Sequence, residues 1–419
     1  MIDPYDISLF IYNLALVPLV FFSALFVVLS FISIFIDKGQ KTARWKPFAE
    51  KDLPFITVQI PVFNDPIAAR CVSKCLEFDY PRKRYEIIIA DDSTNPKTRR
   101  MMEGLSLENP GQVKYVYRSE RTGFKPGALK NAMSFSRGEF IVVFDSDWIP
   151  KRDFLRKIIE PFSDSKVAIV QSKQGFYNRK ANVVTRFAAY LLIMYHSIIM
   201  PINSKVNSVF FCGTAGALRR THFEEVGGWN PDSVTEDCEI SVKLLARGYT
   251  SVYLDYETPS EVPDTFEAFL KQQMRWCYGN TRVFIDNFRL ILFEGNLGLR
   301  QRFMMAFNTL GNGPTVPVVI MTCAGMAGWF LGEVRLFVLS DLFVFGSRLL
   351  VTGGFLFGGF IALHKRGELS EWKDVVFMSF TIGLVVAFAN AFAFMKAVLN
   401  QKINWFCTPK AANVSLVSE

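Results

Sequence analysis

138-GEFIVVFDSDW-148 runs an apolar stretch straight into two carboxylates. Phe140 to Phe144 is β-branched and aromatic without interruption, the pattern of a strand buried on both faces. Asp145 and Asp147 then stand one residue apart, where they repel each other. Two surface acids in a loop would fit this spacing. Paired carboxylates at the end of a buried strand are costly, however, unless a cation or hydrogen bonds compensate them. A divalent ion with oxygen ligands, Mg²⁺ or Mn²⁺, would do so and would take phosphate oxygens as its remaining ligands.

Outward from this strand, similar short runs recur: FITVQIPVFND, YEIIIADDST, VKYVYRS, VAIVQSK and TSVYLD. Helical stretches lie between several of them. The alternation predicts an α/β domain over residues 41–290, built on a largely parallel sheet with functional loops at the strand C-termini. Three further groups fall at such ends or on helices. Asp91-Asp92 follow an apolar strand, where the base and ribose of a nucleotide would lie. Thr235-Glu236-Asp237 opens a helical run, and Asp237 is either a general base or part of an acidic helix start that suits the dipole. Gln272, Arg275 and Trp276 share one helical turn. Arg275 can pair with phosphate and Trp276 can stack on a sugar, although a snorkelling Arg on an amphipathic helix has the same pattern.

The flanks have a different character. Half of the 419 residues are apolar, 15% are aromatic and 41 are Phe, a membrane-protein composition. Leu9 to Ile36 is long enough to cross a bilayer, so residues 1–40 read as an anchor. Lys38, Lys41, Arg44 and Lys46 follow it, which places the α/β domain in the cytoplasm of a cell-membrane protein. Residues 291–302 read as an interfacial helix and 303–400 as transmembrane helices, with Gly311 to Pro317 breaking the first apolar block. Residues 183 to 202 are amphipathic inside the α/β domain, which fits an interfacial helix or a buried core helix. The +8 charge matches cytoplasmic flanks of membrane helices. No basic and aromatic cluster tracks one face, which argues against nucleic acid. Seven scattered cysteines read as buried reduced thiols; Cys71 and Cys75 would need two more ligands for a metal. Asp341 and Arg348, seven residues apart in an apolar block, are the sort of pair that a nucleotide-binding transporter without enzymatic activity would carry, but pairing with each other or with the headgroup region explains them adequately.

The order of these motifs resembles the processive family-2 glycosyltransferases, the membrane-bound cellulose, mannan, chitin and hyaluronan synthases. The matching residues are Asp92 with Asp91, Asp145-Ser146-Asp147, Thr235-Glu236-Asp237, and Gln272 with Arg275 and Trp276. Pro61-Val62-Phe63-Asn64-Asp65 is similar to the opening strand motif, with Asp65 where Glu is usual. Lys125 to Asn131 is similar to the basic segment near the diphosphate, Phe211-Cys212-Gly213-Thr214 to the loop beneath the acceptor sugar, and Thr408-Pro409-Lys410 with Trp405 to a gating element in a 401–419 tail. The resemblance implies a GT-A fold, a Rossmann-like mixed sheet, joined to transmembrane helices. It implies an inverting, metal-dependent hexosyl transfer from a UDP-sugar or GDP-mannose to a growing β-linked polysaccharide. In that scheme Asp145 and Asp147 hold Mg²⁺ or Mn²⁺. Asn64, Asp91, Asp92, Lys125, Asp145, Gln272 and Arg275 bind the donor. Asp237, Glu236 and Arg275 act in catalysis, and Trp276, Phe211, Cys212, Gly213 and Thr214 bind the acceptor. Single transfer onto a lipid acceptor, such as a polyprenyl phosphate, is the alternative, and a homo-oligomer is left open.

Overall fold

A computed structural model of the chain describes residues 3–36, 45–331 and 353–403. Lys38, Lys41 and Arg44, the Asp341 and Arg348 pair, Trp405 and Thr408-Pro409-Lys410 lie outside the described residues. Seven strands form the sheet: β1 Ile56–Val62, β2 Tyr85–Asp91, β3 Val113–Tyr117, β4 Phe140–Val143, β5 Val167–Phe176, β6 Gly216–Arg219 and β7 Thr250–Ser260. Their order is β3-β2-β1-β4-β6-β5-β7. All neighbours are parallel except at β6, which runs antiparallel to both β4 and β5. Six strands coincide with the apolar runs in the sequence. Gly216–Arg219 does not, because GALR contains no β-branched or aromatic residue and so makes no apolar run; its register comes from pairing with Phe140 to Val143.

The quoted strand is anchored from below by aromatic packing. The Phe144 ring lies 4.8 Å from Phe154 and 6.4 Å from Trp148 by centroids. All three side chains are buried in the main core beside Phe78 and Tyr85. Phe144 and Trp148 therefore hold the ends of the Asp145-Ser146-Asp147 turn, leaving its carboxylates at the rim of the sheet.

A 32-residue helix, Pro4–Phe35, precedes the sheet domain. Asp3 caps it by accepting the Tyr5 N–H at 2.9 Å, and Pro4 occupies the first turn, where its missing N–H costs nothing. At about 1.5 Å per residue it exceeds the roughly 30 Å hydrocarbon core of a bilayer. Phe10, Val17, Phe21 and Phe35 are exposed along it. Leu299–Leu310 and Thr315–Phe330 meet at 51°, and Leu369–Phe380 and Ile382–Val398 meet at 47°. The first bend falls at Gly311 to Pro314, within the break expected from the sequence. Among the described residues Pro4–Phe35 and Val183–Lys205 are long and apolar enough to cross a membrane, the second largely buried inside the protein, with up to two more if each bent pair is one span.

Two expectations for the linking segments change. Residues 183 to 205 form a helix, a π-turn at Tyr195–Ile199 and a second helix. Phe187, Tyr190, Ile193 and Ile198 are buried in one apolar cluster with Leu29, Met304 and Leu363. The segment is therefore a core helix at the seam between the sheet domain and the apolar helices, and the interfacial reading gives way. Residues 291–302 are not one helix. A π-turn at Leu290–Glu294 stops before Gly295, and a new helix starts at Leu299. The Arg302 guanidinium donates to the Ile291 and Gly295 carbonyls, each at 2.7 Å, satisfying acceptors that the break leaves open.

The charged linker around residues 364–374 packs on the sheet domain. Arg179 donates to Glu368 at 2.8 Å and Glu371 at 2.7 Å, and Arg186 pairs with Asp374 at 2.6 Å. Both arginines stand at the entry to the seam helix, so ionic contacts as well as apolar ones tie the two parts together.

Candidate active site

The C-terminal ends of β1, β2 and β4 open into a cleft whose far wall is the helix Phe266–Asp286. Asp145 lies on the cleft side, with about a third of its side chain exposed (34%). Its Oδ1 accepts from Lys125 Nζ at 2.7 Å, and its backbone N–H donates to Thr214 Oγ1 at 3.0 Å. Asp147 is buried, and its Oδ2 accepts the Glu261 N–H at 3.0 Å. Arg70 donates to the Asp147 carbonyl at 3.2 Å and also to Glu261 and Tyr177. Ser146 donates to the Asp65 carboxylate. Each backbone step of this turn is thus held by a residue remote in sequence.

Opposite stands the helix Glu236–Ala246, with Glu236 and Asp237 in its first turn. Burial pushes Glu236 up to about 7, against the pull of Lys125, whose Nζ lies 3.9 Å away. Burial likewise raises Asp237 above the usual carboxylate range, against the opposing fields of Lys125 and Arg275. Asp237 Oδ1 accepts the Cys238 N–H at 2.9 Å. Its Oδ2 faces Gly213, where an added Cβ would stand 2.8 Å from that oxygen. Gly213 also has φ +74°, a conformation that side-chain-bearing residues rarely adopt.

The third wall carries Gln272, Arg275 and Trp276, all facing the cleft. Gly279, one turn further, lets the helix close on Thr235, since a Cβ there would be 2.4 Å from Thr235 Cγ2. That contact brings Arg275 near enough to Glu236 and Asp237 for its field to act on both. Arg275 Nε is buried and makes no hydrogen bond among the described residues. A buried guanidinium N–H without a hydrogen-bond acceptor is costly, and the cleft is where an anion would meet it.

Not every residue suggested by the sequence faces the cleft. Asp91 is fully buried and spent internally, accepting the Ser93 N–H at 2.8 Å and the Tyr115 hydroxyl at 2.9 Å. Asp92 does line the cleft, gripped by Arg118 through bonds of 2.8 and 2.6 Å. Asn64, at φ +52°, stitches two loops together by accepting from the Thr94 and Asn95 N–H groups at 2.9 and 2.8 Å. Phe211 is buried against Trp229 and anchors its loop from below, whereas Cys212 and Thr214 reach the cleft. The buried Gln171 amide shapes that loop, accepting the Cys212 N–H at 2.8 Å and donating to the Thr214 carbonyl at 3.0 Å. Lys125 faces both acidic groups. Arg118, Gln171, Glu261, Arg70 and Arg121, the last 3.3 Å over the Phe63 ring, were not singled out from sequence. The spacing of Arg118 and Arg121 just after β3 is the one signal that could have marked two of them.

Metal fit rests on the donor set. Asp145 and Asp147 offer hard carboxylate oxygens suited to Mg²⁺ or Mn²⁺. Among the described residues no group of three or more His, Cys, Asp or Glu side chains is arranged for a metal. An ion here would therefore take two protein carboxylates and complete its shell from phosphate and water, as the sequence suggested. Cys71 and Cys75 are buried free thiols without such partners.

Residues 140–396, which carry most of this cleft, match the family model described as Glycosyl transferase family group 2, so the chain belongs to that family. It is 30% identical over 284 residues to "Probable glucomannan 4-beta-mannosyltransferase 7" of Oryza sativa subsp. japonica, covering 63% of this chain and 48% of that protein. It is 31% identical over 275 residues to "Glucomannan 4-beta-mannosyltransferase 2" of Arabidopsis thaliana, covering 62% and 51%. The chain thus spans about half the length of these relatives. A mannosyltransferase of Pyrobaculum calidifontis, solved in complex with GDP-Man and Mn²⁺, superposes with a TM-score of 0.62 at 19% identity, covering 92% of this chain and 100% of that one. That likeness shows the fold: the expected mixed α/β sheet of GT-A type joined to apolar helices.

Proposed function

We propose that the chain is an inverting, metal-dependent mannosyltransferase that moves mannose from GDP-mannose onto the end of a β-linked polysaccharide at the cytoplasmic face of the cell membrane. One observation carries the reading: Arg275, whose buried Nε has no hydrogen-bonding partner among the described residues, shares a cleft with Asp237 and the Asp145-Ser146-Asp147 turn. The mannosyltransferase relatives and the GDP-Man complex of the structural neighbour favour GDP-mannose over a UDP-sugar. The helix Pro4–Phe35 and the basic residues after it support the membrane placement.

In this mechanism the acceptor hydroxyl attacks the anomeric carbon from the face opposite the diphosphate. The new C–O bond forms as the bond to the diphosphate breaks, and inversion follows. Asp237 takes the hydroxyl proton. Glu236 beside it has its own affinity for a proton raised by burial and shares the field of Lys125. Asp145 and Asp147 would hold the divalent ion, which supplies positive charge against the departing diphosphate. Arg275 adds a fixed cation on the same side without reorganisation. Asp92, oriented by Arg118, accepts hydrogen bonds from the base. Trp276 and the Cys212 to Thr214 loop bind the acceptor.

The test uses purified protein in nanodiscs with Mn²⁺ or Mg²⁺ and radiolabelled GDP-mannose or UDP-sugars, the products being sized and partitioned into organic solvent. A water-soluble ladder from GDP-mannose is expected, abolished by EDTA and by Asp147→Asn. Label entering the organic phase as one species would replace the polysaccharide with a lipid acceptor. Full activity in Asp147→Asn would remove the metal from the mechanism.

A further inference from the structure

Among the described residues Lys125 is the one ammonium set between the two acidic walls of the cleft. Its Nζ lies 2.7 Å from Asp145 Oδ1, 3.0 Å from the Gly213 carbonyl oxygen and 3.9 Å from Glu236 Oε1. Asp237 and Arg275 also act on these walls. The position is built at a cost. Phe124, immediately before it, holds φ +48°, a strained value for a bulky residue. That kink opens the helix Phe124–Met133 and turns Lys125 inward.

A donor diphosphate would find this ammonium already engaged, and so would a divalent ion. Asp145 Oδ1 is the oxygen that Lys125 holds, and it belongs to the same carboxylate that the metal reading assigns as a ligand. An ammonium at 2.7 Å and a divalent ion on one carboxylate repel each other strongly in a partly desolvated cleft. We infer that Lys125 is a built-in counter-ion that holds Asp145 until the donor arrives, so that the metal and the nucleotide bind with positive coupling. The inference rests on the metal-dependent reading above and adds the order in which charge is exchanged. Without nucleotide, Lys125 neutralises Asp145 and Glu236 and disfavours the ion. When a diphosphate enters, its oxygens offer the ammonium a better partner, Asp145 is released, and the ion is bound by protein and phosphate together. By linkage, whatever makes the metal wait for the nucleotide makes the nucleotide bind more tightly with the metal present. Lys125 is here a positioning residue for the metal as well as a contact for the donor.

The distinguishing consequence is a gain of binding on loss of a side chain. Mn²⁺ is titrated into the full chain in nanodiscs without nucleotide, and free Mn²⁺ is read by electron paramagnetic resonance. Lys125→Met is expected to bind Mn²⁺ about tenfold or more tightly than the wild type, although transfer is lost. Lys125→Arg keeps the charge and is expected to stay near wild type. GDP should tighten Mn²⁺ binding by a larger factor in the wild type than in Lys125→Met. Lys125→Gln serves with the same expectation if the methionine variant does not fold. A merely structural lysine would give the opposite sign, since its removal would loosen the site. If the wild type binds Mn²⁺ with GDP but Lys125→Met and Lys125→Gln bind it no better than wild type without GDP, the counter-ion inference falls and the metal reading stands. If no variant binds Mn²⁺ with or without GDP, the metal reading falls and takes this inference with it.

Discussion

Asp237→Asn is expected to cut mannosyl transfer by about 10²- to 10⁴-fold, the contribution of a well-placed general base, while GDP binding persists. The substitution is nearly isosteric. Asn Oδ1 can still accept the Cys238 N–H that Asp237 accepts at 2.9 Å, so the helix start keeps its geometry. Lost is the second oxygen, the one facing Gly213, as a site for the acceptor proton. The pH profile separates this from a binding defect. Burial raises both Asp237 and Glu236, the latter to about 7, against the opposing field of Lys125. For a base held in this way activity is present above the raised value and is lost as the pH falls through it, so the wild type should show an acid limb above the usual carboxylate range. In Asp237→Asn the neighbouring negative charge is gone, Glu236 ionises more easily, and the limb of the residual activity moves to lower pH. Initial rates with labelled donor from about pH 5 to about pH 9, with calorimetric GDP binding, make the measurement. A rate within about threefold of wild type would remove Asp237 from the chemistry.

Gly213→Ala should damage the site almost as severely without touching an ionisable group. Two penalties combine. The backbone at φ +74° costs a side-chain-bearing residue roughly 1–2 kcal/mol. The new Cβ would lie 2.8 Å from Asp237 Oδ2 and 3.3 Å from its Cγ, so the carboxylate must move. The Gly213 carbonyl also accepts from Lys125 at 3.0 Å, so the counter-ion shifts too. A displacement of about 1 Å at a reacting group costs about 100-fold in rate, and that loss is expected on top of the modest loss of stability. Gly227→Ala is the control. Its φ is +95°, yet nothing lies within 4 Å of an added Cβ. It should lower the thermal midpoint by a comparable amount and leave transfer unchanged. Equal activity in the two variants would mean that the Gly213 contact does not position Asp237.

The share of the fold that was legible in sequence follows the physical range of each signal. Six strands could be read because runs such as Ile87 to Ala90 are buried on both faces and so stay apolar throughout. The seventh, Gly216–Arg219, could not, since its register exists only in the ladder with β4 and β5. The bend at Gly311 to Pro314 was visible because Gly and Pro act locally on the backbone. The seam helix was not decided, since an amphipathic face shows that something covers it and not whether that cover is lipid, headgroups or protein.

The candidate site divides along the same line. Chemistry and spacing sufficed to single out Asp145, Asp147, Asp237 and Arg275, because paired acids, a helix-start carboxylate and a guanidinium beside an indole are properties of neighbouring residues. What each oxygen is doing could not be read there. Asp91 and Asp92 are adjacent and chemically identical, yet Asp91 is spent on Ser93 and Tyr115 while Asp92 faces the cleft in the grip of Arg118. Successive side chains leave a strand in opposite directions, and the partners come from β3 and the loop after it. Asp147 is oriented by the Glu261 N–H, 114 residues away in sequence, and Asp145 by Lys125, 20 residues away. The sequence by itself thus determined the element types, the long apolar N-terminal helix and the candidate groups of the cleft, all set by local pattern. Only the tertiary structure decided which carboxylates are already paired and which buried N–H, that of Arg275 Nε, is left without an acceptor among the described residues, because electrostatic pairing falls off with distance through space and takes no account of distance along the chain.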